Sequence, residues 1–144
     1  MLGLIQRVSD ASVVINGQVY GEIGSGLLLL LGVEREDTPA RAEKLLSKIL
    51  NYRVFNDEKS HMNLSLIDVK GSLLIVSQFT LAADTRKGLR PSFSSAAPPE
   101  LAERLYNGFV ESARKVVSVK TGQFGADMKV SLTNDGPVTF QLSS

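Results

Sequence analysis

Ser77, Gln78, Phe79 and Thr80 follow directly on the apolar run Leu73 to Val76. Two hydroxyls and a carboxamide at the mouth of a buried strand would be held rigidly enough to position a substrate. By spacing alone, a strand running out into solvent fits equally well. Asn134-Asp135-Gly136-Pro137-Val138-Thr139 is the second notable segment. It reads as a turn between two strands, and also as something more specific. An X-Pro bond is cis at modest cost, and glycine before proline avoids the usual Cβ clash. A cis Gly136-Pro137 would turn its carbonyls one way, giving two rigid acceptors with no side chain between them.

Other chemistry is mostly excluded. His61 is the sole histidine, in a polar loop with nothing local to orient it, so a Ser-His-Asp triad has poor support. The chain has no cysteine, which removes thiolate nucleophiles, disulfides and Cys-based metal sites. No HExxH pair, calcium loop or phosphate-binding Gly-x-x-x-x-Gly-Lys segment occurs. Neither a metal nor a cofactor is expected. Gly21, Gly24 and Gly26 precede a strand and read as hairpin turns. A formal net charge of +1 argues against binding nucleic acid through bulk charge, so any RNA contact must be local.

The length of 144 residues fits one domain, residues 1–144. The opening residues show no basic leader with a long apolar run, and Leu27 to Leu31 is far short of a bilayer span of ~20 residues. A cytoplasmic location is expected. Leu4 to Ile15 and Gln18 to Ile23 read as strands joined at Asn16-Gly17, a strong two-residue hairpin signal. Leu27 to Val33 reads as a strand buried on both faces. Thr38-Pro39 opens a helix whose Ala42, Leu45, Leu46 and Ile49 share one face. Ser72 to Phe79 reads as another strand. Ala82 to Pro99 is a long loop rich in Gly, Pro, Ser and basic residues, and its length favours a functional role. A second helix follows from about Pro99 to Lys115, with Leu101, Leu105, Phe109 and Ala113 on one side. Val116 to Lys120, Met128 to Thr133 and Val138 to Leu142 read as closing strands. Two helices cannot cover both faces of so many strands. The expected architecture is therefore α/β, with two stacked β-sheets and both helices packed on one outer face.

With both segments in view, the chain resembles the D-aminoacyl-tRNA deacylases. Ser77-Gln78-Phe79-Thr80-Leu81 and Asn134-Asp135-Gly136-Pro137-Val138-Thr139 carry the likeness. It extends from Gln6-Arg7-Val8 through Ala82-Ala83-Asp84-Thr85 and Arg90-Pro91-Ser92-Phe93 to the C-terminus. The resemblance implies a hydrolase that cleaves the ester between a D-amino acid and the 3′-terminal adenosine of tRNA. It also implies activity on glycine mischarged on alanine tRNA, and a homodimer in which a cis Gly136-Pro137 reaches into the partner's site.

Such an ester is already activated by its α-ammonium group and the neighbouring ribose hydroxyl, so orientation and oxyanion stabilisation suffice. Backbone N–H groups around Phe79 and Thr80 would serve the oxyanion. Thr80 is either a positioning residue or the nucleophile, and no neighbour in sequence would deprotonate it. If the Gly136 and Pro137 carbonyls fix the α-ammonium, a D side chain points outward and an L side chain meets the wall. Phe79 and Met128 are candidates for an adenine slot, or simply core. Arg86, Lys87 and Arg90 would meet phosphates near the acceptor end, or form a solvated basic loop. Arg7 is a candidate buttress for the Gly-Pro loop. Two other functions fit less of the sequence: a small-molecule esterase using His61, and a non-catalytic dimer that binds an RNA end or nucleotide.

Overall fold

Leu2–Ile15 forms β1 and turns at Asn16-Gly17 into β2, Gln18–Ile23. Both turn residues have positive φ, 50° and 75°, as a tight hairpin requires. The computed structural model describes residues 1–144. β3 (Gly26–Gly32) returns along β1, and α1 (Pro39–Asn51) follows. Thr38 caps that helix, its Oγ1 accepting from the Arg41 N–H at 3.3 Å. A short ribbon of β4 (Phe55–Asn56) and β5 (Met62–Leu64) leads to β6, Ser72–Ser77. Then come α2 (Pro99–Arg114), β7 (Ser118–Thr121) and β8 (Lys129–Ser143).

β3, β6 and β7 lie side by side in that order and run parallel. A parallel pair needs a crossover, and crossovers are right-handed. Two crossovers that step the same way across a sheet place both helices on the same face. α1 and α2 accordingly share a 23-residue cluster with Leu27, Leu29, Leu31, Leu73 and Ile75. The alternate residues Leu28, Leu74 and Val76 point the other way. They join Val8, Ala11, Val13 and Ile23 in a second cluster of seven. The period-two alternation of a strand thus feeds two cores. Tyr106 pins α2 to the sheet by donating to the Ile75 carbonyl at 3.0 Å. Burial pushes its phenol up to about 12, so it remains a neutral donor at physiological pH.

The two stacked sheets expected from the sequence are met in part, as two halves of one curled sheet. Six strands form one hydrogen-bonded sheet, in the order β2-β1-β3-β6-β7 with β8 also paired to β1. The reason is the length of β1. Its Leu2–Val8 half pairs with β3 and its Ala11–Ile15 half with β2, so one strand serves both halves of a curled sheet. The second cluster fills the inside of that curl. The helices lie on one face, as expected. The closing segments Met128 to Thr133 and Val138 to Leu142, expected as separate strands, form a single β8. It follows β1 from Leu2 to Val14.

Candidate active site

β6 ends at Ser77, two residues earlier than the sequence pattern suggests. The Gln78 N–H still reaches the Leu31 carbonyl at 2.8 Å. The chain then tightens into a 3₁₀ turn over Phe79–Ala82. No side chain caps this turn, and its first N–H groups, at Phe79 and Thr80, have no acceptor within it. The Gln78 Nε2 donates to Thr80 Oγ1 at 2.6 Å. No base accepts the Thr80 proton, which favours positioning over nucleophilic attack.

Ser77, Gln78 and Phe79 line a cleft of about 830 Å³, a size that suits a small molecule or one nucleotide. Met128 lines it too. Phe79 is 59% exposed, and its ring lies 5.0 Å from that of Phe93. Phe124 forms another wall and rests on Tyr106 at 5.7 Å between centroids. Phe93, which the sequence marks only as part of the family likeness, and Phe124 both come from loops, where apolar periodicity gives no signal of a wall residue. The adenine-slot reading of Phe79 and Met128 thus gains two aromatic neighbours. Thr80 is exposed beside the cleft.

Gly136-Pro137 does not line this cleft. Its peptide bond is cis. β8 is in register with β1 at Thr139 opposite Gln6 and at Asn134 opposite Val8. Residues 135–138 therefore bulge out opposite the single residue Arg7. The Asn134 side chain closes the bulge: Oδ1 accepts from the Val138 N–H at 2.6 Å, and Nδ2 donates to the Val138 carbonyl at 3.2 Å. Gly136 has φ 149°, and a Cβ there would lie 2.7 Å from Val138 Cγ2. Only glycine suits that position. Arg7, 9% exposed, donates from Nε to the Asp135 carbonyl and from a terminal nitrogen to the Val54 carbonyl, both at 2.7 Å. Arg7 thus braces the loop from below.

The two segments lie toward opposite ends of the same strands. Arg7 is in register with Leu27, whereas Ser77 is in register with Leu31. Four residues of strand amount to about 13 Å.

In the long loop, Asp84 and Ser92 bridge the base and leave 85–91 projecting. Arg86 is turned back onto Asp84 through two side-chain bonds, at 2.9 and 2.6 Å. These bonds hold the Asp84 carboxyl well below the usual carboxylate range and raise the Arg86 guanidinium above its own. Arg86 is therefore not a free cation, whereas Lys87 and Arg90 are exposed. His61 is exposed at the turn of the β4–β5 ribbon and does not line the cleft. No helix is long and apolar enough to cross a membrane.

Fold and cleft together define an α/β protein with an aromatic-walled site large enough for a nucleotide. The chain belongs to the D-Tyr-tRNA(Tyr) deacylase family, which matches residues 4–143. It is 62% identical over 143 residues to a D-aminoacyl-tRNA deacylase of Haemophilus influenzae strain PittEE, covering 99% of each chain. It is also 62% identical to one of Pseudoalteromonas translucida over 144 residues, again covering 99% of each. Among solved structures it is similar to one titled c-Myc DNA Unwinding Element Binding Protein. There the TM-score is 0.96 and the identity 45%, covering 100% of this chain and 99% of the other. A probable eukaryotic D-amino acid tRNA deacylase shares the fold at a TM-score of 0.80 and 16% identity, with 98% of each chain covered.

Proposed function

We propose that this protein is a cytoplasmic D-aminoacyl-tRNA deacylase that hydrolyses the ester joining a D-amino acid to the tRNA 3′-terminal adenosine. The observation that carries this reading is the aromatic cleft opening at Ser77-Gln78-Phe79, in a chain of the deacylase family. Adenine stacks among Phe79, Phe93, Phe124 and Met128. Hydroxyl and carboxamide groups of Ser77, Gln78 and Thr80 orient the ester. The N–H groups of Phe79 and Thr80 face the carbonyl oxygen as it becomes an oxyanion. Water attacks the carbonyl carbon, the C–O bond to the ribose breaks, and the ribose oxygen takes the proton.

The protein acts as a homodimer, with the Gly136-Pro137 bulge of one chain completing the cleft of the other. Separation of the two segments within one chain supports this. The Gly136 and Pro137 carbonyls hold the α-ammonium and leave an L side chain no room. Glycine has no side chain to exclude, so glycyl-tRNA, including glycine mischarged on alanine tRNA, is also hydrolysed. Lys87 and Arg90 contact the acceptor-end phosphates.

The test compares deacylation of D- and L-tyrosyl-tRNA, where the D ester is expected to disappear and the L ester to persist. Equal rates would sink the filter. Complementation tests the dimer: mixing Gly136→Val and Gln78→Ala proteins should restore activity that neither has alone. No recovery after subunit exchange would place the bulge and cleft in the same chain.

A further inference from the structure

Two charged residues line the cleft, Arg35 and Asp127. Asp127 faces Lys129 at 3.5 Å, so its charge is met locally. Arg35 differs from Arg7, Arg41 and Arg86, each of which has a carboxylate within 4 Å. Arg35 is exposed and in no ion pair.

Its backbone is nonetheless firmly fixed. The Arg35 N–H donates to the Ser95 carbonyl at 3.0 Å, and Glu34 and Ala96 bridge alongside. Asp37, buried, accepts from the Glu34 N–H at 2.7 Å and donates its own N–H back to the Glu34 carbonyl at 3.1 Å. The same Ser95 ties to the 3₁₀ turn, its hydroxyl donating to the Ala82 carbonyl. One short network thus connects the root of Arg35 to the turn that begins at Phe79. A long cation on a fixed root, beside aromatic walls, suits a ligand with a flat base and one negative charge nearby.

We propose that Arg35 binds the 5′-phosphodiester of the terminal adenosine and thereby sets the depth at which the nucleoside enters the cleft. This inference rests on the deacylase reading above. It makes Arg35 a specificity residue that distinguishes an RNA end from a free nucleoside ester. It also supplies a phosphate contact inside the cleft, separate from the projecting basic loop.

The probes are two small esters, D-tyrosyl adenosine and D-tyrosyl adenosine 5′-monophosphate, with D-tyrosyl-tRNA beside them. The unmodified protein should prefer the phosphorylated ester by about tenfold or more in kcat/KM, the range of a charged hydrogen bond. Arg35→Gln should bring that ratio close to one, and Arg35→Lys should restore part of it. With tRNA, Arg35→Gln should raise KM more than it lowers kcat. It should also flatten the salt dependence of binding by about one unit of slope. An unchanged ester ratio in a folded Arg35→Gln protein would overturn the phosphate assignment while leaving the deacylase reading intact. If the unmodified protein left D-tyrosyl-tRNA uncleaved, both readings would fall.

Discussion

Arg7 donates to the Asp135 carbonyl at 2.7 Å, and the same guanidinium holds the Val54 carbonyl at the same distance. One nearly buried cation therefore joins the bulge in β8 to the linker that leaves α1. Its carboxylate contact, with Asp135 Oδ2 at 3.9 Å, is the weaker partner. The two carbonyl bonds carry the geometry.

Replacing Arg7 by Ala orphans both carbonyls at about 1–3 kcal/mol for each one left buried. Denaturant unfolding should show that loss. The selectivity for D- over L-tyrosyl-tRNA should fall with it. Arg7→Lys should rescue only partly, since an ammonium cannot hold both carbonyls with the fork of a guanidinium. Full selectivity in Arg7→Ala would show that the bulge keeps its shape unaided.

Gly136→Ala tests the bulge itself. A Cβ at φ 149° would also lie 2.9 Å from the Val138 nitrogen. The expected cost is about 1–3 kcal/mol of stability, with deacylation lost well before the fold. Thermal unfolding and activity on one preparation separate the two effects. Wild-type selectivity in this variant would contradict the filter.

His61→Ala should leave deacylation within twofold and stability within about 0.5 kcal/mol, as expected for an exposed residue away from the cleft. A collapse in rate would revive a histidine-assisted esterase.

Asp84 supplies a pH prediction. Its carboxyl is held low chiefly by the side-chain bond from Arg86. A carboxylate depressed in the folded state contributes stability above its unfolded pKa and loses it as pH falls through the folded one. The stability that the Asp84–Arg86 clasp contributes should therefore be whole at neutral pH and begin to fall near 3.8, while the clasp itself stays closed until stronger acid protonates Asp84. Carbon NMR of the Asp84 carboxyl should show a midpoint well below 3.8. A midpoint of 3.8 or above would mean that Arg86 is free to meet phosphate.

Local signals made much of the fold legible. Thr38-Pro39 and the stripe at Ala42, Leu45, Leu46 and Ile49 announce α1, and Asn16-Gly17 announces the hairpin. Each depends on residues within a turn or two of one another. Continuity of β8 was not legible, because Asn134 to Val138 looks like any turn until β1 and Arg7 are seen beside it. That information lies about 130 residues away in sequence. The curl of the sheet was hidden for the same reason, since it depends on β1 having two partners along one edge. In the site, Ser77 to Phe79 and Met128 do share a cleft. The place of Phe93, Phe124 and Arg35 in that cleft was not legible, because each is a single residue delivered by a loop. The Asp84–Arg86 clasp left a faint mark, opposite charges two residues apart, which the basic character of the loop outweighed.

The bulge at 135–138 is flanked by paired ladder on both sides, with Thr139 opposite Gln6 and Asn134 opposite Val8. A hairpin tip can fray alone, but this segment cannot, because its ends are fastened to the longest pairing in the sheet. With Arg7 bracing it, its opening should thus require the energy of separating β1 from β8, close to that of global unfolding. Under the proposed filter role, heating would yield no intermediate regime of active but careless enzyme. Discrimination and folding would fail at the same temperature, so damaged copies would fall silent instead of stripping correctly charged tRNA.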